Sequence, residues 1–151
     1  MDFQNNMETT EFDLEILSIL KNDIENGKII VQKNTDSYIE EMENYYPFGY
    51  NSIDWMKKDN VFYVDLKNLT NNKNETIDVF FKNIIHNSPN LIDEEIIIIG
   101  DGALNLGYKT NFKTFLKSYN TFFELPQDTY IWFSKSKKII NYTFEDELFF
   151  G

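Results

Sequence analysis

Two residue types are missing from this 151-residue chain, cysteine and arginine. Without cysteine there is no disulfide framework, no thiol nucleophile and no zinc–thiolate site. Without arginine, all 14 basic residues are lysines, set against 25 acids for a formal net charge of −11. Proteins that grip phosphate present arginine forks and a basic patch. This balance repels polyanions, so direct nucleic-acid binding is not expected. Histidine is nearly missing as well: His86 stands alone and cannot build a polyhistidine metal site. No apolar run approaches the ~20 residues of a membrane span. The start, Met1-Asp2-Phe3-Gln4-Asn5-Asn6, lacks a basic segment and an apolar signal core. A cytoplasmic protein without membrane association is the expectation.

Aromatic residues make up 17% of the chain, enough to build a core and to argue against disorder despite the charge. The length suits one domain over residues 1–151, with 1–8 frayed. The segment Glu94-Glu95-Ile96-Ile97-Ile98-Ile99-Gly100-Asp101-Gly102 organises the rest. Four consecutive isoleucines cannot alternate with polar residues, so a central strand with both faces covered is expected. Gly100 and Gly102 would supply positive φ angles for a sharp exit.

Thr10 and Asp13 have the spacing of a capping box. They open a helix whose stripe is Phe12, Ile16, Ile19, Leu20 and Ile24, widened by Leu14 and Leu17 and ending at Gly27. Residues 28–32 read as a short strand or a helix exit, and 36–46 as a short helix stopped by Pro47. The stretch from Phe48 to Asn60 is aromatic and irregular, and 61–66 favours a strand. After an asparagine-rich loop, Asn74 would cap a helix with the stripe Ile77, Phe80, Phe81, Ile84 and Ile85. Asn111 would cap another, bearing Phe112, Phe115, Leu116, Tyr119, Phe122 and Phe123. Three final strands, near 129–133, 139–144 and 148–151, form an antiparallel meander. The fold class is therefore α+β, with amphipathic helices packed on a mixed, largely antiparallel sheet.

The candidate chemistry is sparse. Asp101 could bind a metal or act as a base at the strand end, or its carboxylate could cap backbone N–H groups of a turn. His86 suits a helix C-terminus, where it can meet terminal carbonyls. Asp93-Glu94-Glu95 and Glu145-Asp146-Glu147 lack the alternating spacing of a calcium loop. No metal, cofactor or catalytic residue is assigned. A different pattern gathers Asp36, Glu40, Glu41 and Glu43 with Tyr38, Tyr45, Tyr46, Phe48, Tyr50 and Trp55. Rings among acids make a protein-binding surface, although a loop folded onto the core would use the same rings.

The later part of the chain resembles immunity proteins of bacterial contact-dependent growth inhibition and related polymorphic toxin systems. The resemblance rests on Ile97-Ile98-Ile99-Gly100-Asp101, on a short helix with Phe112 and Phe115, on Leu125-Pro126-Gln127-Asp128-Thr129-Tyr130, and on Glu147-Leu148-Phe149-Phe150-Gly151. It spans roughly residues 95–151. Asp128 stands where such relatives carry a histidine. The resemblance implies a non-enzymatic cytoplasmic antitoxin that occludes the active site of a cognate basic toxin domain, commonly a nuclease. Acidity and aromatic content independently suit such a cationic partner. The candidate toxin contacts are Asp36, Glu40, Glu41, Glu43, Tyr45 and Tyr46, with Asp101 and Glu145 beside them; nothing specifies an oligomeric state. An SMI1/KNR4-like regulatory or scaffold module is an alternative of similar character. A carboxylate-dependent enzyme using Asp101 is a third, and it requires a pocket with converging groups at the strand end.

Overall fold

The computed structural model describes residues 9–50, 52–69 and 71–151, and the fraying expected of residues 1–8 lies outside them. Helix α1 (Glu11–Ile19) opens with the capping box: the Thr10 side chain accepts from the Asp13 amide while the Asp13 carboxylate accepts from the Thr10 amide. A single irregular residue, Leu20, separates α1 from α2 (Lys21–Glu25). Backbone bonds from Leu20 to Ile16 and from Ile24 to Leu20 still run across the join. Gly27, at φ 75°, ends the segment in the left-handed conformation that glycine tolerates best. Only part of the expected stripe is buried. Ile16 and Leu20 face the core, while Phe12, Leu14 and Ile19 are exposed because they flank the line of contact.

Strand β1 (Ile30–Gln32) leads to α3 (Asp36–Tyr45), which Pro47 follows. The aromatic stretch makes an isolated bridge between Phe48 and Ile53, then a 3-10 turn at Trp55–Lys57 and strand β2 (Phe62–Asp65). Helix α4 (Lys73–Asn87) starts one residue before Asn74, so Asn74 lies inside the helix; Asn72 holds the flanking position without a side-chain cap. Its stripe is as expected, with Ile77, Phe80, Phe81 and Ile84 buried.

Strands β3 (Glu95–Gly100) and β4 (Gly107–Asn111) precede α5 (Phe112–Leu116) and α6 (Tyr119–Phe123). Asn111 caps α5 by accepting from the Thr114 amide at 2.8 Å. The single expected helix is thus two short ones. The break at Lys117–Ser118 re-aims the second, so that Phe122 and Phe123, neighbours in sequence, are both buried. The meander follows as β5 (Thr129–Phe133), β6 (Lys138–Tyr142) and β7 (Glu147–Phe150). Lys137 and Asp146 take positive φ in its two tight turns.

The seven strands form one sheet in the order β1-β4-β3-β5-β6-β7-β2. Every pairing between them is antiparallel, so the sheet expected to be largely antiparallel is antiparallel throughout. β3 lies inside it between β4 and β5. Its isoleucines divide: Ile96 and Ile98 enter a large core with α1, α4, α5 and α6, while Ile97 and Ile99 enter a smaller one with Met42, Tyr46 and Trp55. Both faces of the strand are covered, as four adjacent isoleucines require. The larger core is rich in rings; Phe81 alone meets Phe112, Phe115, Tyr119 and Phe123.

Two polar pins hold the β3–β4 loop. Asp13 is fully buried, with Oδ2 accepting from the amides of Thr10 (3.0 Å) and Asn105 (2.9 Å) and Oδ1 accepting from the Tyr108 hydroxyl (2.7 Å). Gln127 is also buried; its Oε1 accepts from the Leu104 amide at 3.0 Å and its Nε2 donates to Thr129 Oγ1 at 3.1 Å. The positive φ expected at Gly100 and Gly102 is not found; among the described glycines only Gly27 has it. Gly100 is needed for space instead, since a Cβ there would stand 2.0 Å from Gln127 Oε1.

Gly100→Ala should therefore destabilise the fold by about 1–3 kcal/mol, as overpacking does. Gly102→Ala, where nothing lies within 4 Å, should change stability by no more than about 0.5 kcal/mol. Urea unfolding followed by tryptophan fluorescence compares the two. The same measurement on Asp13→Ala should show a loss of about 3 kcal/mol or more, because several buried donors lose their acceptor. Asp13→Asn should restore only part of it, since one accepting oxygen becomes a donor facing donors.

Candidate partner-docking face

The smaller core is roofed by α3 and by residues 46–50 and 52–61. Met42 and Ile39 turn α3 onto the sheet. That leaves Asp36, Glu40 and Glu43 exposed on its outer side. The other candidates on this helix have partners within the fold. Glu41 accepts from Trp132 Nε1 at 2.7 Å and lies 4.0 Å from Lys137 Nζ. Tyr45 is half exposed, with the Lys137 ammonium 5.1 Å from its ring centroid.

Tyr46 does not belong to the surface. It is buried, it packs edge-on to Trp55 and Trp132, and its hydroxyl lies 2.8 Å from the Lys137 carbonyl oxygen and 2.6 Å from the Gly151 oxygen. Burial pushes its pKa well above the ordinary tyrosine value. The reason is its spacing: Tyr46 lies four residues after Met42 and shares the inward side of the helix.

Asp101 is exposed and caps a turn, its Oδ1 accepting from the Asp128 amide at 2.8 Å. A cavity of about 280 Å³ does open at this end of β3, and Glu43, Asp101 and Tyr130 are among its lining residues. Among the described residues no group of three or more histidine, cysteine or acidic side chains is arranged to hold a metal ion. His86 sits exposed in the last turn of α4. Glu145-Asp146-Glu147 does not act as one cluster. Asp146 pairs with Lys73 at 2.6 Å and takes the Tyr142 hydroxyl, tying the β6–β7 turn to α4. Glu145 and Glu147 border a separate groove.

That groove, about 430 Å³, lies beyond the Phe48–Ile53 bridge. Asp54, Asp128, Glu145 and Glu147 surround it, and Trp55 and Phe149 lie within. Asp128 is half-buried and joins the groove to the cavity by its bonds with Asp101. Burial raises its pKa most; the Phe144 amide, donating at 2.7 Å, pulls it down, and the charges of Asp101, Glu145 and Glu147 push it up again. Net, Asp128 is held above the ordinary carboxylate value. The nearest lysines make long contacts, Lys57 to Asp54 at 3.8 Å and Lys67 to Glu147 at 3.7 Å. The first pair is largely exposed, and such pairs are weak; Glu147 is less exposed and also accepts from the Tyr63 hydroxyl at 2.8 Å.

Of the residues singled out in sequence, the structure thus brings Asp101 and Glu43 to one cavity and Glu145 to the groove beside it, with Asp36 and Glu40 on the helix above. Sequence reasoning missed Asp54, Asp128, Met56 and Phe144. Trp55-Met56 beside Asp54 was the available signal, but chain distance hid its approach to residues 144–147.

No family model matches the chain, and no curated protein matches it. Among the described residues no helix is long and apolar enough to cross a membrane.

Asp128 gives a pH-dependent prediction. Its folded pKa is raised, so ionisation costs the folded state more than the unfolded one. The cost is present above the folded pKa and disappears as pH falls below the unfolded value near 3.8. Asp128→Asn keeps the oxygen that accepts from Phe144, and it should raise the urea midpoint at pH 7 with an unchanged slope. Repeated at pH 3.5, the two midpoints should coincide.

Proposed function

We propose that this chain is an immunity protein that neutralises a basic toxin domain, a nuclease in the first instance, by covering its active site. The observation carrying this reading is the group of acids gathered over the smaller core. Asp36, Glu40 and Glu43 on α3, Asp101 at the strand end, and Asp54, Asp128, Glu145 and Glu147 around the groove all belong to it. Exposed rings stand among them: Tyr50 is 98% exposed and Phe144 is 68% exposed. Two lysines beside this layer are engaged, Lys58 over the Tyr46 ring and Lys137 against Glu41, Tyr45 and Trp132. Carboxylates grouped in this way speed the approach of a cationic protein.

The resemblance of residues 95–151 to polymorphic-toxin immunity proteins supplies the biological partner. A toxin that cuts RNA or DNA holds phosphates on a basic surface, and carboxylates can occupy that surface in their place. Aromatic anchors then supply affinity that charge alone does not.

The direct test is protection. The toxin domain encoded immediately upstream should kill cells when expressed alone and spare them when this chain is coexpressed, with the two copurifying as a complex. Failure of both would remove the proposal. Charge reversal of Glu40 and Glu43 together should slow association at low salt by at least about tenfold, through lost steering. It should leave the urea midpoint within about 0.5 kcal/mol of the parent, since both side chains are exposed. Stopped-flow mixing across a salt series gives the rates; an unchanged on-rate at low salt would exclude α3 from the docking face.

A further inference from the structure

The groove beside Trp55 has a construction that the acid layer alone does not explain. Its floor is rigid: the Trp55 and Phe149 rings stack with centroids 5.3 Å apart and planes 1° from parallel. The indole is fixed from below by its N–H donating to Asn141 Oδ1 at 2.9 Å, and Asn141 is itself buried. At the groove stand two large apolar side chains left in water, Met56 at 95% exposure and Phe144 at 68%. Past Phe149 the hollow continues over Val61 and Tyr63 for about another 360 Å³, with mostly apolar walls that Glu147 shares.

We infer that this groove seats an apolar side chain of a partner protein that is flanked by lysine or arginine residues. Shape and charge select that occupant together. A stacked aromatic floor with a flexible methionine beside it favours an apolar or aromatic side chain, because both surfaces lose water when it enters. Four carboxylates around the same opening disfavour acidic peptides, nucleic acid and anionic lipid alike, and they favour cations on either side of the apolar anchor. Burial raises the Asp128 pKa most, and the charges of Asp101, Glu145 and Glu147 add to it; an arriving cation would relieve that second part. Lys57 and Lys67 do not fill this role from within; their contacts lie at the solvated edge. The inference rests on the docking reading above and adds to it the anchor point. Helix α3 steers, and the groove holds.

The test needs no toxin. Isotope-labelled protein is titrated with the peptide acetyl-Lys-Phe-Lys-amide, with acetyl-Lys-Gly-Lys-amide and acetyl-Glu-Phe-Glu-amide as controls. NMR follows the Met56 methyl, the Trp55 indole N–H and the Phe144 and Glu145 amides. The first peptide should give saturable shifts confined to these groups, with at least fivefold weaker binding of each control. Met56→Ser combined with Phe144→Ser should weaken it at least fivefold, while the buried Trp132 indole signal stays in place as a report on the fold. Equal shifts from the glycine control, or shifts spread over α3 as well, would overturn the inference. Its failure is separable from failure of the antitoxin proposal. If the parent and the double variant protect cells equally and the peptide finds no groove, the groove falls and the antitoxin stands. If the peptide binds as expected and the parent does not protect, the groove stands and the antitoxin falls.

Discussion

Water must be excluded from both sides of β3, and the architecture follows from that constraint. Burying each of its isoleucines contributes on the order of 2 kcal/mol, but only if each face finds a cover. The larger face is covered by four helices with long aromatic side chains. The smaller is covered by one short helix and by a segment with little regular structure, in which Ile53 and Trp55 reach down to the sheet. This second roof is thin, and it has an outer surface of its own only a few residues from the core. The groove, the cavity and the acids of α3 all belong to it. The surface proposed to meet a partner is therefore the back of a layer that the central strand makes necessary.

Where the strands end, apolar packing stops and buried hydrogen bonds take over. Asp13 shows how: one carboxylate, fully buried, caps the first helix and gathers the amides of the β3–β4 loop and the Tyr108 hydroxyl. A carboxylate is acceptor-only, and the groups around it are donors, so its charge is dispersed over hydrogen bonds without a cation. Gln127 does the neighbouring job with one acceptor and one donor, and it occupies the space that a side chain at residue 100 would need. These pins hold the end of β3 at which Asp101 and Asp128 meet. Geometry at the acidic face thus depends on residues that never reach the surface.

Much of this was legible along the chain. The isoleucine run announced a doubly covered strand, Thr10 with Asp13 announced a cap, and the spacing of Ile77, Phe80, Phe81 and Ile84 announced the inward side of α4. Each is a local pattern whose meaning survives folding. What could not be read depended on contacts far apart in sequence. Gly100 looked like a turn residue, and only the approach of Gln127, 27 positions on, shows that it is a matter of room. Asp13 looked like a cap and no more, because its other donors lie over 90 residues away. Tyr46 looked like one more ring in an exposed aromatic stretch, yet the helical period from Met42 carries it inward. The groove was the least legible feature, since its two sides come from residues 52–56 and 128–149.

Both layers carry charge. On the helical side Lys82, Lys113 and Lys117 are exposed together with Glu11, Glu15, Glu25, Glu75, Asp78 and Glu124, and a surface of both signs is sufficient for solubility. Around the groove the acids crowd together, and one of them, Asp128, resists ionisation, first because it is half-buried and then because Asp101, Glu145 and Glu147 stand near it. Crowding like charges lowers stability, and leaving Met56 and Phe144 in water forgoes the gain of burying them. A fold with two well-built cores tolerates both losses, and function is the usual reason for a protein to keep features that its own stability does not favour. Both losses fall on the same few square nanometres of surface, where a cationic, apolar partner would reverse them together.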